Sequence, residues 1–281
     1  MSCLTQSATV NLIHHYCDIG VWTSMAIRFS ERVAFVDDGT DRFLTTVARL
    51  GGYCTVEQAQ EMGLAKSLSQ TQTRLNGLER AGFLRRVAEY PVVFQITKSV
   101  VRLVGTDMWA RRPRAIETVR WGLAALSFYL EARKWPATFI FERGEKITAF
   151  AKIGCSRQCL PQRGGQPYLA EDFVLDPPGG GLCVAIVDRG HWSAFLQLVR
   201  FVKRYADSRA RAGQGLSLVV AIGSEARLRL YERAARHRKV VEHSKGAVEP
   251  ASLYQISTPI PHIRTLTHEP VIHTNFDSRR L

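Results

Sequence analysis

Long apolar runs are missing from this sequence. No uninterrupted apolar stretch of about 18 residues occurs among its 281, which argues against a membrane-spanning helix. The opening residues, MSCLTQSATVNLIHHYCDIG, lack a basic start, a long apolar segment and a small-residue cleavage site, so no secretion signal is expected. Cysteine is sparse: Cys3, Cys17, Cys54, Cys155, Cys159 and Cys183 make too thin a set for a disulfide scaffold, and a reducing, cytoplasmic setting follows. CSRQC (155–159) brings two thiols together, but no second Cys or His pair completes a zinc site, and His14, His15 and Cys17 do no better. Free thiols and no resident metal are the expectation. The glycines of GQG (213–215) and PPGGG (177–181) lack the Gly-Lys-Ser/Thr of a phosphate loop. No Ser-His-Asp arrangement stands out from chance.

Acid is also scarce. Asp and Glu total 25 against 38 Lys and Arg, a formal charge of +13. Such an excess favours a polyanion, either nucleic acid or an acidic membrane surface, with a merely basic protein as the plainer alternative. The hydrophobic content of 46% is that of a globular chain with real cores.

Residues 1–40 fit either a short strand pair or a helix, and DDGT (37–40) is a turn signal. From residue 41 the pattern turns helical. Phe43, Leu44, Val47 and Leu50 share one face, which Gly51-Gly52 ends. Thr55 caps a second helix, with Glu57 in its first turn and Gly63 at its end. Ser67 or Ser69 caps a third, LSQTQTRLNGLER (68–80). There Leu68, Leu75, Leu78 and the following Phe83 can face a core, while Gln70, Thr73, Arg74 and Gly77 face outward. FLRRVAEYPVVFQIT (83–97) reads as two strands around a turn, and KSVVRLVG as a closing helix.

Three helices followed by a two-stranded ribbon is the order of a winged helix-turn-helix. Amides and guanidinium groups at Gln70, Gln72, Arg74 and Asn76 suit paired hydrogen bonds to base edges in the major groove. Hydroxyls at Ser69 and Thr73, with Lys66, Arg80, Arg85, Arg86 and Lys98, suit the phosphate backbone, which positions a protein without reading sequence. The stretch 53–100, with LERAGFL (78–84) and a ribbon ending in FQIT (94–97), resembles winged-helix DNA-binding domains. The resemblance puts Arg85, Arg86 and Lys98 where such domains meet the backbone.

A long helix is expected over 112–135, with Pro113 near its start, Pro136 beyond its end, and Ile116, Val119, Leu123, Leu126 and Leu130 on one stripe. It can serve as a dimerisation helix, as the first helix of the next domain, or as both. Strands are expected at TFIFER (138–143), KITAFAKI (146–153), EDFVLD (171–176) and LCVAIVDRG (182–190), the last two an antiparallel pair across PPGGG. Residues 191–213 read as an amphipathic helix with Phe195, Leu196, Leu198, Val199 and Val202 inward. LSLVVAIG (216–223) is a buried strand, and 224–238 a helix capped by Ser224. The tail from 246 shows little periodicity and is expected on the surface, partly disordered or crossing to a second subunit.

AEDFVLD, LCVAIVDRG and LVRFVKRYAD, placed after a winged helix, resemble the replication-relaxation family of mobile-element proteins. The resemblance implies an α+β chain overall: a winged helix-turn-helix at 41–110, then a restriction-endonuclease-like α/β domain with a mixed central sheet at 111–245. Asp172 matches the acid that begins one strand, Asp188 the last acid of the next, and Lys203 and Tyr205 the helix positions. Two departures stand out: Ile186 occupies the place of the middle acid, and no Lys follows Asp188 two residues on. Glu142, Glu171 and Asp176 are the remaining acids that can substitute. The domain is therefore expected to be catalytically degenerate, a platform for binding or dimerisation.

These features lead to the expectation of a sequence-specific double-stranded DNA-binding protein of a plasmid or other mobile element. Its role would be as an accessory factor in DNA transfer (conjugation or mobilization) or replication, and as a regulator of transcription. A relaxase or replication protein is the expected partner, with a homodimer and no cofactor or membrane. Two alternatives stay open. One is a Mg²⁺-dependent nuclease using Asp172, Asp188 and Lys203. The other is an adaptor whose winged helix contacts protein.

Overall fold

The computed structural model describes residues 36–105, 115–169, 172–237, 240, 251–257 and 264–265, all belonging to one compact unit, Val36–Leu281. The expectations for residues 1–35 lie outside the described residues.

Helix α1 (Asp38–Arg49) starts earlier than the sequence suggested. DDGT is not a free turn but a cap and first helical turn. Asp37 accepts the Thr40 N–H at 2.7 Å, and Asp38 and Asp41 sit at the positive end of the helix. Phe43, Leu44, Val47 and Leu50 are buried, as their spacing requires. Strand β1 (Tyr53–Thr55) leads into α2 (Val56–Glu61), which carries a capping box: Gln58 N–H donates to the Thr55 hydroxyl and the Thr55 N–H to Gln58 Oε1. Gln58 is itself buried and its amide donates to the Leu123 carbonyl and Ser127 Oγ, each at 2.9 Å.

Helix α3 (Leu68–Arg80) is capped by Ser67, and buries Thr71, Leu75 and Leu78 at the spacing of one helix face. Leu68, expected inside, is 47% exposed. Its angular position suits the core, but side chains lean toward the helix N-terminus, so a first-turn residue reaches past what lies beneath. Thr71 takes the inward place. Strands β2 (Leu84–Tyr90) and β3 (Val92–Ile96) form an antiparallel hairpin, with a bulge between Arg86 and Ala88 and a cis Tyr90–Pro91 bond at its tip. Pairing gives the order β1-β3-β2. Helix α4 (Lys98–Val104) ends on Gly105 at φ 67°, a left-handed position that favours glycine.

Helix α5 (Ile116–Ala132) starts within the stretch expected from Pro113; residues 106–114 lie outside the described set. Its apolar residues are not left for a second copy. Val119, Leu123, Leu126 and Leu130 are buried within the chain, as are Gly122, Ala124, Ala125 and Phe128 on the other faces. One side packs on β1 and α2, and the other on the sheet of the second half. A Cβ at Gly122 would lie 2.7 Å from Tyr53 Cδ2, so this contact requires glycine. The stripe expected on α5 is thus covered within the chain, where the helix lies between the smaller sheet's β1 and the larger sheet.

Strand β4 (Thr138–Ile140) is followed by α6 (Arg143–Lys152). The expected strand KITAFAKI is thus helical. Its alternation of apolar residues suggested a strand, but the buried positions Lys146, Ala149 and Phe150 follow the 3.6 period. A small ribbon, β5 (Gln162–Arg163) and β6 (Gln166–Pro167), turns at Gly164-Gly165 with both φ positive. Strands β7 (Phe173–Asp176) and β8 (Leu182–Val187) pair antiparallel, Phe173 opposite Ala185. The expected single helix over 191–213 is two: α7 (Ala194–Arg204), capped by Ser193, and α8 (Ala206–Ala212), separated at buried Tyr205. Leu196, expected inside, is exposed because the inward face runs through Gln197, Leu198, Phe201 and Val202. Strand β9 (Leu216–Ile222) lies parallel to β8, and α9 (Glu225–Ala235) follows under its Ser224 cap.

The tail is more than a surface strap. Strand β10 (Ser252–Gln255) pairs parallel with β9, and β11 (Arg264–Thr265) pairs antiparallel with β2. Strands of four and two residues are too short to leave periodicity in a sequence. The larger sheet has the order β10-β9-β8-β7-β4, in which β7 runs against its two neighbours. The chain is α+β overall, with a mixed sheet. Phe128 of α5 ties its parts together, meeting the rings of Trp135, Phe139, Phe173 and Tyr254 edge-on at 5.8–6.2 Å between centroids.

Candidate functional site

Two sets of residues carry the chemistry the sequence pointed to: the outward face of α3 and the acids of the larger sheet. On α3, burying Thr71, Leu75 and Leu78 turns the opposite face to solvent. Ser69, Gln70, Thr73 and Arg80 are exposed there, as is Lys66 just before the cap. Glu79 is the helix's single acid and is paired with Arg86, at 3.4 Å.

The other candidates on this side divide by what holds them. Gln72 donates to Asn76 Oδ1 at 2.8 Å, and Arg86 Nη2 donates to the same oxygen at 3.1 Å. The Arg86 N–H donates to Glu79 Oε1 at 3.0 Å, and its guanidinium lies 5.5 Å from the Phe94 ring centre. These links fix the hairpin against α3. Arg74 turns back toward α1: Nη1 donates to the Leu64 carbonyl at 2.8 Å, and Nη2 pairs with Asp37 at 3.2 Å. The Asp37 carboxyl is held below its ordinary range by the Thr40 hydroxyl and N–H, and then by Arg74.

Arg85 and Arg86 are neighbours in a strand, so they leave it on opposite faces. Arg85 donates through Nε and Nη2 to Gln95 Oε1 at 2.9 and 2.6 Å, over the sheet rather than toward α3. Lys98 is exposed at the start of α4. Thus Lys66, Ser69, Gln70, Thr73 and Arg80 stand open on α3 or beside it, with Gln72, Asn76 and Arg86 linked at its flank. Arg74 and Arg85 are engaged elsewhere.

The acids of the larger sheet are buried and separately caged. Asp172 enters β7, where Tyr205 Oη donates to its Oδ2 at 2.6 Å and Arg204 Nη2 lies 3.2 Å from the same oxygen. Asp188 follows β8 and receives Arg227 in two parallel bonds, Nε to Oδ2 and Nη2 to Oδ1, both 2.7 Å. Tyr231 Oη and Gln197 Nε2 each donate to Asp188 Oδ1 at 3.0 Å, and the Gly190 N–H at 3.1 Å. Burial, reinforced by the adjacent carboxylates, pushes both tyrosine hydroxyls upward, so they remain donors. The bond to Asp188 raises the Arg227 guanidinium further.

Lys146, from the segment expected to be a strand, is buried beneath Asp172. Its ammonium donates to the backbone carbonyls of Asp172 at 2.8 Å and Leu169 at 3.1 Å. Burial lowers its pKa to about 8, against the opposing pull of Asp172 and Glu142.

A nuclease metal does not fit this arrangement. Asp172 and Asp188 line different clefts, and Ile186 stands where a middle acid would be. The carboxylate oxygens already accept from arginine and tyrosine. Lys203 is exposed on α7, while its neighbours Arg204 and Tyr205 are the residues that reach Asp172. Among the substitutes, Glu142 pairs with Arg49, and Glu171 lies outside the described residues. Among the described residues no three His, Cys, Asp or Glu side chains gather in a metal-holding group. Cys54, Cys155, Cys159 and Cys183 are free, and Cys155 Sγ donates to the Ser208 carbonyl at 3.2 Å.

Sequence reasoning overlooked Arg204, Arg227 and Tyr231 as the partners of these acids, and Lys146 as the donor to the Asp172 backbone carbonyl. One signal existed: Arg227 lies three residues after the Ser224 cap, in a first turn facing back to the strand ends. No protein-family model, no curated protein and no solved structure matches the chain.

Proposed function

We propose that this protein binds double-stranded DNA through α3, used as the recognition helix of a winged helix-turn-helix, with the β2–β3 hairpin as its wing. One observation carries the reading. The outward face of α3 offers Ser69, Gln70, Thr73 and Arg80 to solvent, Lys66 stands beside it, and the one acid of the helix is paired with Arg86. Amide and hydroxyl groups on a helix can bond base edges, and the flanking cations suit phosphates. A buried underside and a hairpin cross-linked through Arg86 hold that face rigid. The net charge of +13 supports the same partner.

The larger domain is read as a nuclease-like α/β scaffold without catalysis. In support, the strands run in one order across the sheet, with β7 alone reversed. Arginines and tyrosines occupy both acids. Its role would be to hold a second copy or a partner such as a relaxase or replication protein, making the chain an accessory factor in transfer or replication of a mobile element and a regulator of its own operon. A homodimer would read paired half-sites, through a surface other than the covered stripe of α5.

The test is a titration of DNA fragments flanking the gene at two salt concentrations. A discrete complex that survives competitor DNA and weakens with salt supports the reading. Binding to no fragment, or binding indifferent to salt, would overturn it in favour of an adaptor.

A further inference from the structure

A second surface lies outside the carboxyl ends of the parallel strands β8 and β9. In open α/β sheets, ligands favour this position. Here the loop after Asp188 carries Arg189, Gly190, His191 and Trp192. The Arg189 guanidinium carbon lies 5.7 Å from the Trp121 ring centre and 5.0 Å from that of Trp192. Arg200 of α7 covers the Trp192 ring as well, at 5.6 Å. The result is a chain of cation–π contacts, Trp121–Arg189–Trp192–Arg200, running from half-buried to exposed.

The stack is built rather than accidental. The Arg189 N–H donates to Gln197 Oε1 at 3.2 Å, and the same Gln197 donates to Asp188. His191 Nδ1 meets the Arg189 carbonyl at 2.7 Å. Arg227, clamped on Asp188, also donates to the Trp192 carbonyl at 2.8 Å. A cleft of about 140 Å³ opens on the Arg200 side and another of about 520 Å³ on the Arg120 side, with Trp121 and Arg189 lining both. The walls of the two clefts hold Arg120, Arg189, Arg200, Arg204 and Arg227 against Glu117, Asp172 and Asp188, an excess of positive charge.

Flat π surfaces interleaved with arginine in a basic cleft match what an unpaired nucleotide needs. Its base stacks on indole or guanidinium and its phosphate meets the cations. Bases inside a duplex cannot reach such a stack, so the surface favours a strand with splayed bases. We propose that the Trp121–Arg189–Trp192–Arg200 stack binds single-stranded polynucleotide. This site is separate from α3 and does not rest on the duplex reading.

The full chain would be titrated with labelled single-stranded DNA and RNA of about 15 nucleotides, the upper range of such site sizes, while indole emission is followed. Binding with quenching is expected, and the 2′-hydroxyl arm identifies which polymer is preferred. Trp192→Ala should weaken binding on the order of 5- to 100-fold and remove most of the quench. Trp192→Phe should recover much of the affinity, and Arg200→Ala should reduce affinity and its dependence on salt. Both sites of change, Trp192 and Arg200, are exposed, so unaltered melting is expected. Duplex binding through α3 should be untouched by them, and Thr73→Ala should leave single-strand binding unchanged. The proposal is overturned if the wild type binds neither oligonucleotide, as a protein-docking surface would predict, or if Trp192→Ala binds as well as wild type. It is also overturned if heparin displaces the strand from both proteins alike and no quench is seen.

Discussion

The Tyr205 hydroxyl reaches Asp172 Oδ2 at 2.6 Å across the gap between α7 and β7, with neither side chain open to solvent. Together with Arg204 it holds the Asp172 carboxylate inside the fold. A carboxylate so held stabilises the fold only while its donors are present. Asp172→Ala leaves a buried hydroxyl and a half-buried guanidinium without their acceptor, and is expected to cost about 3–5 kcal/mol. Tyr205→Phe removes one donor and should cost about 1–3 kcal/mol. Urea unfolding of both variants provides the check. An Asp172→Ala protein as stable as wild type would mean that the cage contributes nothing.

This anchor illustrates which parts of the molecule could be read from sequence. Apolar spacing located the body of α1 but not its Asp37 cap, and spacing with caps located α2, α3 and α9, because Thr55, Ser67 and Ser224 act on neighbours three residues away. PPGGG marked the β7–β8 connection for the same local reason. The failures come from non-local packing. KITAFAKI satisfies two periods, and in the fold it is a helix whose Lys146 turns inward to the Leu169 and Asp172 carbonyls, contacts that lie far away in sequence. Leu196 yielded its inward place to Gln197, whose amide is needed at Asp188. The acids themselves were visible, but Arg204, Arg227 and Tyr231 meet them only once helices and strands are assembled.

Lys146 gives the protein an alkaline dependence with a defined sign. Its folded pKa of about 8 lies below the ordinary lysine value of 10.5. Between these two values the unfolded chain holds a proton that the folded chain has released, so stability should rise with pH across that window. Below pH 8 both states are protonated and the contribution is flat. From about pH 9 the trend is opposed, because burial raises the thiols of Cys54, Cys155 and Cys183 and the hydroxyls of Tyr205, Tyr231 and Tyr254, and their ionisation in the unfolded chain favours unfolding. The thiols and hydroxyls are common to both proteins, so from pH 8 to 10 the denaturant midpoint of wild type should gain on that of Lys146→Met. Equal slopes in the two proteins would rule out Lys146 as the source.

The last strand of the larger sheet, β10, also contributes to stability. Tyr254 of β10 donates to Glu131 Oε2 at 2.7 Å, packs edge-on against Trp135 at 4.8 Å, and is followed by buried Ile256. Ending the chain after residue 250 would strip these contacts and expose the β9 edge. A loss on the order of 5 kcal/mol is expected from the apolar side chains alone, with a tendency to associate through the bare strand. Unfolding curves and light scattering of the truncated protein provide the check. A shortened chain with wild-type stability and a monodisperse profile would show that β10 is dispensable.

On and beside α3 the geometry sorts the polar residues by what holds them, where the sequence alone set Gln70 and Arg74 toward base edges and Thr73, Lys66 and Arg80 toward phosphates. Gln70 and Thr73 are open and uncharged, so Gln70→Ala should cost about 1–3 kcal/mol at one base pair and relax preference there. Lys66 and Arg80 are open cations, and alanine at either should weaken all duplexes alike, lowering the salt slope by about 1. Arg74 is held by the Leu64 carbonyl and Asp37. Arg74→Ala should therefore leave sequence preference nearly intact and change stability by less than about 1 kcal/mol, as exposed ion pairs do. Binding of a set of single-base variants to each mutant distinguishes the three classes. A selective loss at one base pair in Arg74→Ala would mean that the guanidinium leaves Asp37 for the groove, and that the contact with α1 belongs to the free protein alone.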